Sequence, residues 1–166
     1  NENGLFISYI NNAQVQFNTC TIPEISYATE IPRYGLYIEY SSGYSIEENT
    51  FTGFNNGPDG NIGMYISNSG NQPNEIYKND FSSLAYGIVA LGVNRGETGE
   101  GLCLKCNNFS RCTNDIHVIP EIEDGRWKQG RDQGIASSQG TTGSDTAPAG
   151  NTFTDKDMYE TFNYFN

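Results

Sequence analysis

One short pattern recurs along the chain and limits what it can fold into. A glycine is followed by aliphatic and aromatic residues, and then, at a near-fixed distance, by an aliphatic residue, two variable positions, an asparagine and an aromatic. It stands as GLFI (4–7) with VQFNTC (15–20), then GLYI (35–38) with IEENTF (46–51). It returns as GMYI (63–66) with IYKNDF (76–81), and as GIVA (87–90) with LKCNNF (104–109). A frayed fifth copy follows in NDIHVI (114–119) and, much later, NTF (151–153). The step from glycine to the second aliphatic is 11 residues in the first two copies and grows to 13 and 17 through GNQP and NRGETGEG. Length varies only between the repeated pieces, as surface loops do when a stacked core is fixed.

Each piece alternates in the manner of a strand, so that side chains two apart share a face. Tyr34, Leu36 and Ile38 are expected on one side, with Gly35, Tyr37 and Glu39 on the other; Ile62, Met64, Ile66 and Tyr86, Ile88, Ala90 match the first set. The pieces are too short and too rich in Gly and Asn for helices. A repeat of about 24–31 residues holding two or three short strands is one turn of a solenoid, whereas a propeller blade needs about 40 or more. The sequence therefore predicts an all-β, right-handed parallel β-helix of about five coils in a single domain over 1–166, with long loops near the C-terminus. Stacked coils lie about 4.8 Å apart. Leu5, Leu36, Met64 and Ile88 should then form one interior column, Val15, Ile46, Ile76 and Leu104 a second, and Cys20, Phe51, Phe81 and Phe109 a third. Asn18, Asn49, Asn79 and Asn107 should align at a corner as a structural ladder, since an asparagine tolerates turn geometry and can bond to backbone or to the next Asn.

The pattern GLYI…IEENTF resembles the right-handed parallel β-helix repeats of the pectate-lyase-like superfamily, over residues 3–119. The stretch GIASSQGTTGSDTAPAGNTF (134–153) is similar to segments that close such helices in large secreted surface proteins of type IX-secreting bacteria. Asp145-Thr146-Ala147 resembles the O-glycosylation acceptor of those bacteria, which makes Thr146 a glycosylation candidate. The resemblance implies a scaffold that hosts many chemistries, so activity must be read from particular residues. The polygalacturonase-like pieces and the arginine pattern of the pectate lyases are absent. Glu39 and Glu48, with Asp80 behind them, are the carboxylates a hydrolase could pair, but Glu48 aligns with Phe17, Lys78 and Cys106, so no acidic column forms.

Cys103, Cys106, Cys112 and His117 are formally four zinc ligands, yet the first two fall in an extended strand where a zinc knuckle needs a tight turn. A Cys106–Cys112 disulfide is the expected use in an exported protein, and Cys20 takes the place of a core Phe. Phe6, Tyr37 and Tyr65, followed by Val89, form an outward column of ligand-contact candidates, suited to sugar rings or a neighbouring domain or simply to stiffening the sheet. The segment 120–150, with the only Trp, breaks the repeat and is expected to be a loop-rich excursion, while DKDMYETFNYFN (155–166) is expected to cover an open solenoid end.

Twenty acidic against nine basic residues give a net charge of -11, which disfavours nucleic acid and anionic membranes and repels acidic polysaccharides. No apolar run is long enough for membrane insertion, and the chain, starting inside a strand pattern without Met or leader, reads as a piece of a longer secreted or cell-surface protein. The expected function is a non-catalytic module serving as stalk, adhesive or contact face for a glycan or neighbouring protein domain, with no cofactor and no metal. The alternative is a polysaccharide lyase or glycoside hydrolase, or a degenerate remnant of one.

Overall fold

In the computed structural model, which describes residues 3–23, 32–54, 60–128, 133–140 and 149–154, the repeated pieces are strands stacked copy on copy. The first coil supplies β1 (Asn3–Ser8), β2 (Gln14–Gln16) and β3 (Thr19–Thr21), and the second β4 (Arg33–Glu39), β5 (Ser45–Glu47) and β6 (Thr50–Thr52). The third supplies β7 (Asn61–Ser67), β8 (Asn74–Tyr77) and β9 (Asp80–Ser82), and the fourth β10 (Tyr86–Leu91), β11 (Leu102–Lys105) and β12 (Asn108–Ser110). Beyond these lie β13 (Asn114–Ile119), a hairpin of β14 (Ile122–Glu123) and β15 (Arg126–Trp127), and β16 (Thr152–Thr154). Three parallel sheets result, ordered β1-β4-β7-β10-β13, β2-β5-β8-β11 and β3-β6-β9-β12-β16. The protein is an all-β parallel solenoid, and no helix occurs among the described residues.

The solenoid has about four turns rather than the expected five. Of a fifth turn, the first and third faces carry strands, β13 and β16, and among the described residues the middle sheet ends at β11. The reason is the break in the repeat. Phe109 pairs with Phe153, 44 positions on, where the preceding coils advance by 28 to 31 on this face. The intervening chain forms the antiparallel β14–β15 hairpin and a segment (133–140) laid against the fourth coil.

The expected columns are in register. Leu5, Leu36, Met64, Ile88 and Ile116 are successive partners on the first sheet, Val15, Ile46, Ile76 and Leu104 on the second, and Cys20, Phe51, Phe81, Phe109 and Phe153 on the third. The phenylalanines stack nearly parallel, with centroids 5.3, 5.0 and 5.4 Å apart from Phe51 to Phe153. Each such pair adds about 0.5–1.5 kcal/mol beyond the area it buries.

Strict alternation fails at the glycine. A Cβ on Gly35 would stand 2.6 Å from the Phe51 ring and 2.8 Å from the Gly63 carbonyl; on Gly63 it would stand 2.7 Å from Phe81, and on Gly87 2.7 Å from Phe109. The glycine therefore faces the core rather than the outside, because the phenylalanine of its own coil occupies the space a side chain would need. Tyr34 is correspondingly displaced from the expected interior row and lies against Tyr37 and Tyr65. Ile62 is buried but stands apart from the interior cluster, and Tyr86 lies 5.4 Å from His117.

Between the second and third sheets each coil turns through one left-handed residue: Phe17 (φ 58°), Glu48 (54°), Lys78 (54°) and Cys106 (54°). That conformation costs an L-residue about 1–2 kcal/mol, and the following asparagine compensates. The backbone N–H and Nδ2 of Asn18 both donate to Oδ1 of Asn49, at 2.9 and 3.0 Å. The same double bond links Asn49 to Asn79, Asn79 to Asn107 and Asn107 to Asn151. Each Nδ2 also reaches back one coil to a strand carbonyl: Asn49 to Val15, Asn79 to Ile46, Asn107 to Ile76 and Asn151 to Leu104. The four asparagines read from the sequence thus form the expected ladder, extended by Asn151.

Asn79 is fully buried, whereas Asn18 is exposed at the end of the column. Asn79→Ala leaves the Asn49 N–H and the Ile46 carbonyl without their partner, and at about 1–3 kcal/mol for each buried polar group left unpaired the loss should be about 3 kcal/mol. Asn18→Ala should cost under about 1 kcal/mol. Urea unfolding of the two variants checks the contrast; equal losses would mean that burial of the ladder does not set its worth.

Candidate functional site

The first sheet carries the outward aromatic column. Phe6, Tyr37, Tyr65, Val89 and His117 are successive register partners on β1, β4, β7, β10 and β13. Phe6 and Tyr37 stack with centroids 5.2 Å apart, and Tyr37 and Tyr65 at 4.9 Å. The ring planes are inclined by 30° and 21°, so the rings stack at an angle rather than flat on one another. Tyr34 packs edge-on against Tyr37 and Tyr65 at 5.1 and 5.3 Å, which fixes their orientation. The aromatic run stops at the fourth coil, where Val89 is buried.

A second stack was not singled out from the sequence. Tyr9 and Tyr40 lie at the end of the first sheet with centroids 5.0 Å apart and planes 17° apart, both in the left-handed conformation (φ 55° and 46°). They are legible in the repeat, since each follows its outward aromatic, Phe6 or Tyr37, by three residues. Between the two stacks in sequence comes the pair Ser8 and Glu39. The Ser8 hydroxyl donates to Glu39 Oε1 at 2.9 Å, and the Tyr37 hydroxyl to Oε2 at 3.4 Å. One carboxylate thus accepts from two hydroxyls, one of them from a ring of the aromatic column. This is an arrangement of flat apolar surface and oriented hydrogen-bonding groups, the requirement for holding a polyhydroxylated ligand.

The hydroxyls feel this environment. Partial burial, and then the charge of Glu39, push the Tyr37 phenol up to about 12 from an ordinary 10.0, and burial raises Tyr65 as well. On the other end of the same outward column, burial lowers the His117 imidazole below its usual value.

The remaining candidates are not brought together. Glu39 ends β4, whereas Glu48 occupies the left-handed corner after β5 and pairs with Lys78 at 3.8 Å. The two acids stand on different parts of the coil and do not form the carboxylate pair of a hydrolase. The Cys106–Cys112 bridge is not formed, and no disulfide links any of the four cysteines. Cys106 takes the exposed corner position while Cys112 is packed into the interior cluster, its Sγ 3.8 Å from the Phe81 carbonyl. The wall of the solenoid separates them. Cys103 points away from the core between the buried Leu102 and Leu104, its thiol raised by burial. Among the described residues no group of three or more His, Cys, Asp or Glu side chains is placed to hold a metal ion. Thr146 and the segment 155–166 lie outside the described residues.

Comparison with protein-family models, with curated proteins and with solved structures gave no match.

The raised Tyr37 value carries a sign. The folded state holds this proton more tightly than the unfolded chain, so the contribution to stability is complete below about pH 10 and is lost as pH rises through about 12. Ultraviolet difference titration of the wild type against Tyr37→Phe should show the missing phenol ionising near the top of that window. Glu39→Gln should move it downward. A Tyr37 that titrates at 10, or is indifferent to Glu39→Gln, would contradict the arrangement.

Proposed function

We propose that the chain is a non-catalytic β-solenoid module of a large secreted or cell-surface protein, a rigid spacer whose first-sheet face contacts an uncharged glycan. The observation that carries this reading is the Phe6–Tyr37–Tyr65 stack with Glu39 bonded to Tyr37 and Ser8: rings for the C–H faces of a sugar, and a carboxylate and hydroxyls for its O–H groups. The net charge of -11 supports a neutral ligand over a uronic-acid polymer. The spacer role is supported by parallel stacking, which adds about 4.8 Å of length per coil. Kinship with the pectate-lyase-like superfamily and export by a type IX system belong to the same proposal. They rest on the repeat pattern GLYI…IEENTF and on the tripeptide at Thr146.

Calorimetric titration with neutral and uronic-acid oligosaccharides tests the reading. The wild type should bind a neutral oligosaccharide, and Tyr37→Ala/Tyr65→Ala should weaken binding about tenfold or more, given about 0.5–1.5 kcal/mol per aromatic contact. Equal affinity in a folded double variant, or binding confined to uronic acids, would remove this face as the contact surface.

A further inference from the structure

The Phe6–Tyr37–Tyr65 column does not account for the second pair of stacked rings. Tyr9 and Tyr40 belong to the corner that ends the first sheet, where each coil again turns through a left-handed residue: Tyr9 (φ 55°), Tyr40 (46°), Asn68 (51°) and Gly92 (75°). The four hold equivalent places, because each N–H donates to the carbonyl that ends the first-sheet strand one coil on. Tyr9 donates to Glu39, Tyr40 to Ser67, Asn68 to Leu91 and Gly92 to Ile119.

The rings of Tyr9 and Tyr40 have centroids 5.0 Å apart and planes 17° apart. That separation is close to the ~4.8 Å between coils, so the two rings lie face to face along the solenoid axis. Tyr9 therefore covers the first-coil side of the Tyr40 ring. The other face is turned toward the third coil, where the corner side chain shrinks to Asn68 and then to Gly92. Among the described residues no ring stacks on that face, and Tyr40 is 49% exposed.

The floor beneath this face is held in place. Asn68 Oδ1 accepts from the Val93 N–H at 3.0 Å, and its Nδ2 donates to the Ser67 hydroxyl at 3.3 Å. The side chain is thereby drawn toward the fourth coil, over Gly92, where a Cβ would collide with Asn68 Oδ1. Tyr40 overhangs a ledge as a result. An amide nitrogen carries two hydrogens, and among the described residues only one of those on Asn68 has a partner.

We propose that this ledge is a second sugar subsite, taking a pyranose ring of the same neutral glycan on the third-coil face of Tyr40, with the Asn68 amide as donor to its hydroxyls. The inference rests on the first-sheet face being a glycan contact, and it extends that reading to the ligand's length and direction. Continuity selects the occupant: Tyr37, Glu39 and Tyr40 follow one another along β4 and its corner, and Glu39 already accepts from the Tyr37 hydroxyl. The corner column itself is uncharged, which suits a neutral ligand. Tyr37 and Tyr40 stand about 10 Å apart along the strand, farther than one sugar ring spans. The glycan therefore runs with the strands, across the solenoid axis, and its affinity depends on its length.

Calorimetric titration with neutral glucose, mannose and xylose oligomers, from monosaccharide to hexasaccharide, tests this. Wild-type affinity should rise about two- to tenfold between the disaccharide and the longer oligomers, the gain one added aromatic contact supplies. Tyr40→Ala should remove that gain and leave the short oligomers unaffected, whereas Tyr40→Phe, which keeps the ring, should retain it. Asn68→Tyr should also remove it, by filling the ledge. Tyr9 and Tyr40 already place stacked tyrosines at this corner, so the variant should keep its far-ultraviolet circular dichroism. Wild-type affinity that is flat from the disaccharide upward, or folded Tyr40→Ala and Asn68→Tyr variants that bind every length as the wild type does, would overturn the subsite and leave the Tyr37–Tyr65 contact standing. No binding at any length would overturn the glycan reading and this extension together.

Discussion

Every part of this molecule depends on successive coils lying in register, and the interaction that holds the register at its sharpest bend is the double hydrogen bond from one asparagine to the next. The corner between the second and third sheets forces a non-glycine residue into the left-handed region in each of four coils. The bend is sustained because the next residue's amide satisfies the backbone of two coils at once. An amide has both a donor and an acceptor, so it can pass the pattern on indefinitely. A carboxylate accepts only, and a hydroxyl is too short to span the corner and still reach the preceding strand. The chemistry of the column follows from its need to repeat.

The second constraint is steric and internal to each coil. Gly35, Gly63 and Gly87 are not there to relax the backbone but to admit the edge of Phe51, Phe81 and Phe109. In the first coil, Cys20 stands where the others have phenylalanine, and Gly4 lies against its sulfur. Bringing glycine inward turns the preceding residue outward, and that is how Tyr34 comes to buttress the rings of Tyr37 and Tyr65. A packing rule of the core therefore shapes the outer face, and the ligand-contact candidates inherit their orientation from it.

This distinction marks how far the sequence could be read unaided. Columns such as Leu36, Met64 and Ile88, or Asn49, Asn79 and Asn107, were legible because a stacked repeat turns equal spacing into contact. The side on which Gly35 and Tyr34 lie was not legible, because alternation assumes an unbroken pleat and the Gly–Phe contact breaks it. The coil count was overestimated because a repeat visible as NDIHVI and NTF supplies, among the described residues, two faces but not the third. The disulfide between Cys106 and Cys112 fails for a related reason: closeness along the chain does not say on which side of the wall a side chain falls. Of the contact face, Phe6, Tyr37 and Tyr65 could be seen as a column. Glu39 was legible on the Tyr37 face, but only as a candidate acid of a hydrolase; its bond to Ser8 one coil away was not, because glutamate does not recur at that position in the other copies.

In-register stacking can be tested most directly through the asparagine amides themselves. In an ¹⁵N-labelled sample, the side-chain NH₂ protons of Asn49, Asn79 and Asn107 should be protected from solvent exchange to nearly the degree of the neighbouring strand amides, and should show cross-relaxation to the asparagine one coil on. Side-chain protons that exchange at the rate of a free asparagine, or contacts between segments other than those one coil apart, would contradict the stack on which the fold and the contact face both depend.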